Sequence, residues 1–189
     1  MRVLLATANP GKIAEFRDML GDDEQWTDLA QLGGAPTVEE TGLTFRENAC
    51  IKAAAYAAHF KMWALADDSG LEVDAIDGKP GVHSARWADI NAAGKGDADN
   101  NLLLLRRLAE VPDEDRTARF VCVLALSDPH GKIVLTALDR VEGRILREPR
   151  GGNGFGYDPL FLISELGKTT AELNPAHKHQ VSHRGKALR

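Results

Sequence analysis

FVCVLAL (Phe120–Leu126), SDPHGK (127–132) and IVLTALDRV (Ile133–Val141) form the stretch on which the fold turns. The first run is almost continuously apolar, as expected of a strand buried on both faces. Asp128-Pro129-His130-Gly131 puts proline second and glycine fourth, the pattern of a type I turn, and Ile133 to Val141 then returns as the partner strand. This hairpin is the expected spine. Toward the N-terminus, the short apolar run Val3 to Thr7 is followed by Asn9-Pro10-Gly11-Lys12, after which Ile13, Phe16, Met19 and Leu20 recur at helical spacing. That pattern predicts strand, loop and helix, with Gly21 and Asp22-Asp23 ending the helix and residues 25 to 40 forming a weak strand and loop. Thr44 and Glu47 make a capping box ahead of the stripe Phe45, Ala49, Ala53, Tyr56 and Phe60, which predicts a helix over about 44 to 61.

Between helix and hairpin, Trp63 to Ala66 reads as a short strand that gives way to a turn at Asp67-Asp68-Ser69-Gly70 and resumes at Leu71, Val73 and Ile76. Gly78-Lys79-Pro80-Gly81 marks a long loop through Trp87, and Asp97 or Asp99 is positioned to cap a helix containing Leu102 to Leu105 and Leu108. Beyond the hairpin, RGGNGFGYDP (Arg150–Pro159) has too many glycines for an element interior and reads as a sharply bent loop. Leu160 to Ile163 then looks like a strand, and Leu173-Asn174-Pro175 opens one last helix through Lys178, His183 and Arg184. Helices alternate with strands early and antiparallel pairing comes late. The expected fold class is therefore α/β, a mixed sheet covered by helices.

Composition narrows the function. With 189 residues, 43% hydrophobic, the chain can bury a sizeable core, and its 23 basic against 28 acidic residues argue against a nonspecific nucleic-acid coat. No run approaches ~18 apolar residues, so no membrane partner is expected. Cys50 and Cys122 read as core residues of a reduced, cytoplasmic protein.

Several residue groups carry possible chemistry, each with a plainer reading beside it. Thr7 to Lys12 joins a strand end to a helix start, where amides, helix dipole and lysine favour phosphate, although an ordinary strand-to-helix turn looks similar. Neither this loop nor residues 151 to 156 matches a nucleotide fingerprint. Glu39-Glu40 precedes the second helix, and Asn48 and Lys52, four apart, are expected on its exposed face. Asp67-Asp68-Ser69 offers adjacent carboxylates that point oppositely if the strand persists. Their hard oxygens suit magnesium, but the same tetrapeptide is common turn chemistry. His177 to Arg189 carries Lys178, Arg184, Lys186 and Arg189 with no acid, which favours an anion, while His179 and His183 are a weak metal pair without a third ligand. Phe155 and Tyr157, like Arg86 and Trp87, either stack on a ligand or fill the core.

Taken together, TANPGK, EETGLTFRENACIKA, ADDSGLEVDAIDGKPGVHSARWA, GGNGFGYDPLF and SHRGKAL, in order from residue 7 to 188, resemble the inosine/xanthosine triphosphate pyrophosphatase family. The resemblance implies a single domain over 1–189 with two lobes around a central nucleotide cleft, a homodimer, a divalent cation such as Mg²⁺, and hydrolysis of ITP, dITP or XTP to the monophosphate and pyrophosphate. By position, Thr7, Ala8, Asn9, Pro10, Gly11 and Lys12 match the triphosphate loop, joined by Lys52. Glu40 and Asp68 match the metal positions, and Asp68 also matches the proton acceptor. Ser69 matches a substrate contact, Phe155, Gly156, Tyr157 and Asp158 the base-recognition loop, and Lys178, His183 and Arg184 the C-terminal contacts. The chain stops at Arg189, where relatives often extend the last helix. A nucleotide-binding regulator without turnover and a pyrophosphatase for modified pyrimidine triphosphates are the alternative expectations.

Overall fold

The computed structural model describes residues 2–21 and 25–189. The expected helix-ending role of Asp22-Asp23 falls outside these residues. Strand β1 (Val3–Leu5) leads into α1 (Pro10–Leu20), whose N-cap Asn9 accepts a hydrogen bond from the Lys12 amide, with proline in the first turn. β2 (Trp26–Asp28) follows. The Thr44–Glu47 capping box is complete at the start of α2 (Phe45–Phe60). β3 (Trp63–Val73), the short helix α3 (Trp87–Ile90), α4 (Gly96–Arg107), β4 (Thr117–Ser127) and β5 (Ile133–Ile145) come next. β6 (Phe161–Ile163), β7 (Lys168–Thr169), α5 (Pro175–Val181) and α6 (His183–Leu188) complete the chain.

The seven strands hydrogen-bond in the order β2-β1-β3-β4-β5-β6-β7. β1 is parallel to β2 and β3, whereas β6 is antiparallel to β5 and β7, so the sheet is mixed, as expected. At the hairpin the Gly131 amide donates to the Asp128 carbonyl at 3.0 Å, closing the anticipated turn.

The chain resolves into two compact units: Met1–Asp68, Cys122–Asp139 and Ala187–Arg189 form the first, Ser69–Val121 and Arg140–Lys186 the second. In the first, Leu5, Phe16, Cys122, Leu124 and Ala187 make the core. In the second, Leu71, Val73, Trp87, Leu104, Leu108, Phe120, Tyr157 and Phe161 lead a larger one. Arg116 is buried there, donating to the carbonyls of Leu108, Ile145 and Leu146.

Four expectations are corrected. The turn at Asp67-Asp68-Ser69-Gly70 does not exist: β3 runs straight through it, because each buried carboxylate meets an ammonium that local propensity cannot register. The long loop after Gly78 is structured, with a 3-10 helix over Gly81–Arg86 running into α3. Neither Asp97 nor Asp99 is the N-cap of α4. That position is Lys95, whose amide donates back to Asp99. The last helix is two helices broken at Ser182, whose backbone is extended and whose hydroxyl accepts from the Gly185 amide to start α6. Gly185 allows the tight bend, since a side chain there would collide with the His179 carbonyl.

Candidate functional site

The first unit concentrates its buried charge on α1, α2 and β3. Lys12, one turn into α1, pairs with Asp67 of β3, whose other oxygen accepts from the Cys122 thiol at 3.1 Å. On α2, Asn48 and Lys52 are buried, contrary to the expected exposed face: Asn48 accepts from the Gly42 amide at 2.8 Å. The Lys52 ammonium lies 2.6 Å from Asp68 Oδ1 and 2.9 Å from Glu40 Oε1. Capping by Thr44 fixes the start of α2 and hence the height at which Lys52 projects. Asp67 and Asp68 thus meet different partners, as consecutive residues of a persisting strand should.

One cation is shared by two carboxylates in this cluster. Burial works against the Lys52 charge, but Asp68 and Glu40 outweigh it and hold the ammonium above the usual lysine value. Burial lifts the Asp68 carboxyl above the ordinary aspartate value. Lys52 and Lys12 pull it back only in part, and Glu40 adds to the rise. Asp68 Oδ2 is buried without a hydrogen-bond partner among the described residues. A buried carboxylate oxygen in that state is expensive unless something outside the chain engages it. In the loop ahead of α1, Thr7 Oγ1 accepts from the Asn9 amide at 3.2 Å, so Thr7 to Lys12 is preformed by its own side chains, with Ala8 and Pro10 exposed and Gly11 half-buried.

The second unit holds a separate cluster around the glycine-rich loop. Asp158 is buried and accepts from Lys178 Nζ at 2.5 Å, Thr170 Oγ1 at 2.8 Å and the Phe155 amide at 2.9 Å. Gly154 leaves room for this cluster, since a side chain there would meet Asp158 Oδ2 and Lys178 Nζ. The half-buried Phe155 ring has Lys178 Nζ 5.2 Å and Arg184 Cζ 5.8 Å from its centroid, a face-on cationic environment. Arg184 also donates to Ser69 Oγ at 2.8 Å, and the His183 ring stacks on Phe120 at 4.9 Å. Tyr157 is a core residue whose hydroxyl donates to the Ser84 carbonyl. Burial pushes its phenol well above the usual tyrosine value. Trp87 likewise fills the core while Arg86 is exposed. His179 and His183 lie on different helices, and among the described residues no group of three or more His, Cys, Asp and Glu could hold a metal.

Two sets of sequence-selected residues are therefore assembled, one in each unit: Lys12, Glu40, Lys52 and Asp68 in the first, Ser69, Phe155, Asp158, Lys178 and Arg184 in the second. Sequence reasoning passed over Cys122, Ser84 and Thr170 as partners of these groups. None carries a local signal, because Cys122 lies 55 residues from Asp67, Ser84 73 from Tyr157 and Thr170 12 from Asp158.

A mixed-sheet α/β protein with ammonium–carboxylate clusters on its helices and strands is the class these features define. The Ham1 family model matches residues 3–189, and the chain belongs to that family. It is 52% identical over 193 residues to the dITP/XTP pyrophosphatase of Exiguobacterium sibiricum, covering 100% of this chain and 94% of the relative. It is 50% identical to the dITP/XTP pyrophosphatase of Geobacter sulfurreducens, covering 99% and 92%. Among solved structures, a HAM1 protein from Coxiella burnetii matches with a TM-score of 0.85 at 42% identity, covering 100% of this chain and 94% of the other.

Proposed function

We propose that this chain hydrolyses nonstandard purine nucleoside triphosphates, ITP, dITP and XTP, to the monophosphate and pyrophosphate. The whole of 1–189 acts as one functional domain. Relatives named dITP/XTP pyrophosphatase, about half identical over nearly their full length, support the substrate class. The observation that carries the chemistry is the buried, partnerless Asp68 Oδ2 beside Lys52.

A divalent cation fits that donor set. Asp68 Oδ2 and the half-buried Glu40 are hard oxygen donors, and Mg²⁺ takes only one or two carboxylates when substrate phosphates and water complete its shell. Bound there, it would neutralise phosphate charge and acidify water. The chain's own groups do the rest. Lys12, with the preformed loop Thr7 to Gly11, and Lys52 bind the polyphosphate, whose roughly four negative charges otherwise repel a nucleophile. A water attacks the α-phosphorus, its oxygen forms the new P–O bond, the α–β bridge bond breaks, and pyrophosphate departs. Asp68 receives the water's proton.

Base choice falls to the second unit. Inosine and xanthosine present a 6-oxo acceptor where adenine presents an amino donor, so the cations of Lys178 and Arg184 at the Phe155 ring favour the oxo base. An unmatched group there costs about 1 to 3 kcal/mol, enough for about tenfold to a hundredfold discrimination. The cytoplasmic placement and the homodimer implied by the family resemblance belong to the same proposal. Among the described residues no helix is long and apolar enough to cross a membrane. Pyrophosphate release from ITP, XTP, GTP and ATP, with and without Mg²⁺, tests the reading. Magnesium-dependent release strongest with ITP and XTP is expected. Binding without release, or equal efficiencies for all four, contradicts it.

A further inference from the structure

Helix α4 carries a feature that the proposed chemistry does not use. Gly156 stands in the glycine-rich loop between Phe155 and Tyr157 with φ of +61°, a conformation open to glycine but strained for other residues. Both peptide groups flanking its Cα are held from the same helix: the Gly156 amide donates to Asp97 Oδ2 at 2.6 Å, and the Gly156 carbonyl accepts from Asn101 Nδ2 at 2.9 Å. Asp97 and Asn101 are four apart and so share one face of α4. Within the loop the Phe155 amide donates to Asp158 Oδ2 and the Asp158 amide to the Phe155 carbonyl, while Asn153 and Asp158 tie it to Ala171, Leu173, Thr170 and Lys178.

Asn101 adds a second clue. Its Oδ1 is buried without a partner among the described residues, a cost that an apolar side chain would not carry. What the side chain does supply is the Nδ2 donor to the Gly156 carbonyl. Glycine passes readily between left- and right-handed φ, and gripping both neighbouring peptides selects one state. That state sets where the Phe155 ring and its backbone face Lys178 and Arg184.

We propose that Asp97 and Asn101 are positioning residues that set base selectivity by clamping the Gly156 backbone in its left-handed state. This rests on the purine triphosphate reading above. The polyphosphate contacts Lys12 and Lys52 do not depend on the clamp. Releasing Gly156 therefore blurs recognition of the base edge and leaves the hydrolytic step intact, because donors misplaced by a fraction of an ångström lose discrimination first.

The test compares Asp97→Ala, and the isosteric Asn101→Asp that removes the donor, with Asp97→Asn, which keeps an acceptor oxygen. Asp97 is exposed, so its variants retain the fold. Steady-state kinetics with ITP and ATP are paired with amide hydrogen exchange over residues 150–159. For Asp97→Ala and Asn101→Asp, the ITP-to-ATP ratio of kcat/KM should fall about fivefold or more, mainly through KM, with faster exchange at Gly156. Asp97→Asn should stay near the parent in both readouts. An equal loss for both nucleotides, or unchanged exchange at Gly156, overturns the proposal. If the parent releases no pyrophosphate from any purine triphosphate, the functional reading fails. Exchange then judges the clamp alone, faster exchange upholding it and unchanged exchange removing it.

Discussion

The two charged clusters contain the same kinds of groups but differ in completeness. In the second unit Asp158 has an ammonium, a hydroxyl and a backbone amide on its oxygens. In the first, one lysine is divided between Glu40 and Asp68, and an Asp68 oxygen is buried with no partner among the described residues. A finished cluster holds its own groups in place, here Lys178 at the Phe155 ring, whereas an unfinished one is set up for something that arrives from outside. Burial of charge alone does not distinguish them. The hydrogen-bond inventory does.

Asp68→Asn should break this contrast most sharply. It keeps the shape of Oδ1 and Oδ2 but removes the proton acceptor, so kcat for ITP should fall about 10²- to 10⁴-fold with a small change in KM. Calorimetry should show a smaller loss of melting temperature than in the next variant. Near-parental turnover would dissolve the distinction. Lys178→Met works from the other side by stranding the buried Asp158 charge, and should lower unfolding free energy by about 3 kcal/mol in denaturant titration. Thr44→Ala removes the N-cap that sets Lys52 on α2 and should lose about 1 kcal/mol, with a modest rise in KM.

The smallest effect is electrostatic and pH-dependent. Arg119 and Thr117 donate to Asp74 and hold its carboxyl below the usual aspartate value. A depressed carboxyl adds stability above its unfolded value and loses it as pH falls through the folded one. Asp74→Asn should therefore lower the melting temperature slightly at neutral pH, leave it nearly unchanged at the acid end where Asp74 is protonated, and so flatten the acid side of the profile.

Much of the scaffold was legible because its signals are local. The Thr44–Glu47 box, the Asp128–Gly131 turn and the apolar run Phe120 to Leu126 each specify their element within a few residues. What escaped depended on distant partners. Asp67 and Asp68 resemble a turn until Lys12 and Lys52 are brought to them from two helices, and Asn48 looks solvated until Gly42 meets it. Ser182 contains the reason for its helix break, a cap for Gly185, but a serine inside a basic amphipathic stretch reads equally as helix interior. The candidate residues themselves were found through motif resemblance. Their grouping into a complete and an incomplete cluster required coordinates.

The most direct test of the central claim follows the oxygen of the attacking water. ITP is hydrolysed in ¹⁸O-labelled water with Mg²⁺ present, and the products are separated and weighed by mass spectrometry. The account predicts one labelled oxygen in IMP and none in pyrophosphate, since the new bond forms at the α-phosphorus. Label appearing in pyrophosphate, or release of orthophosphate in its place, would contradict it.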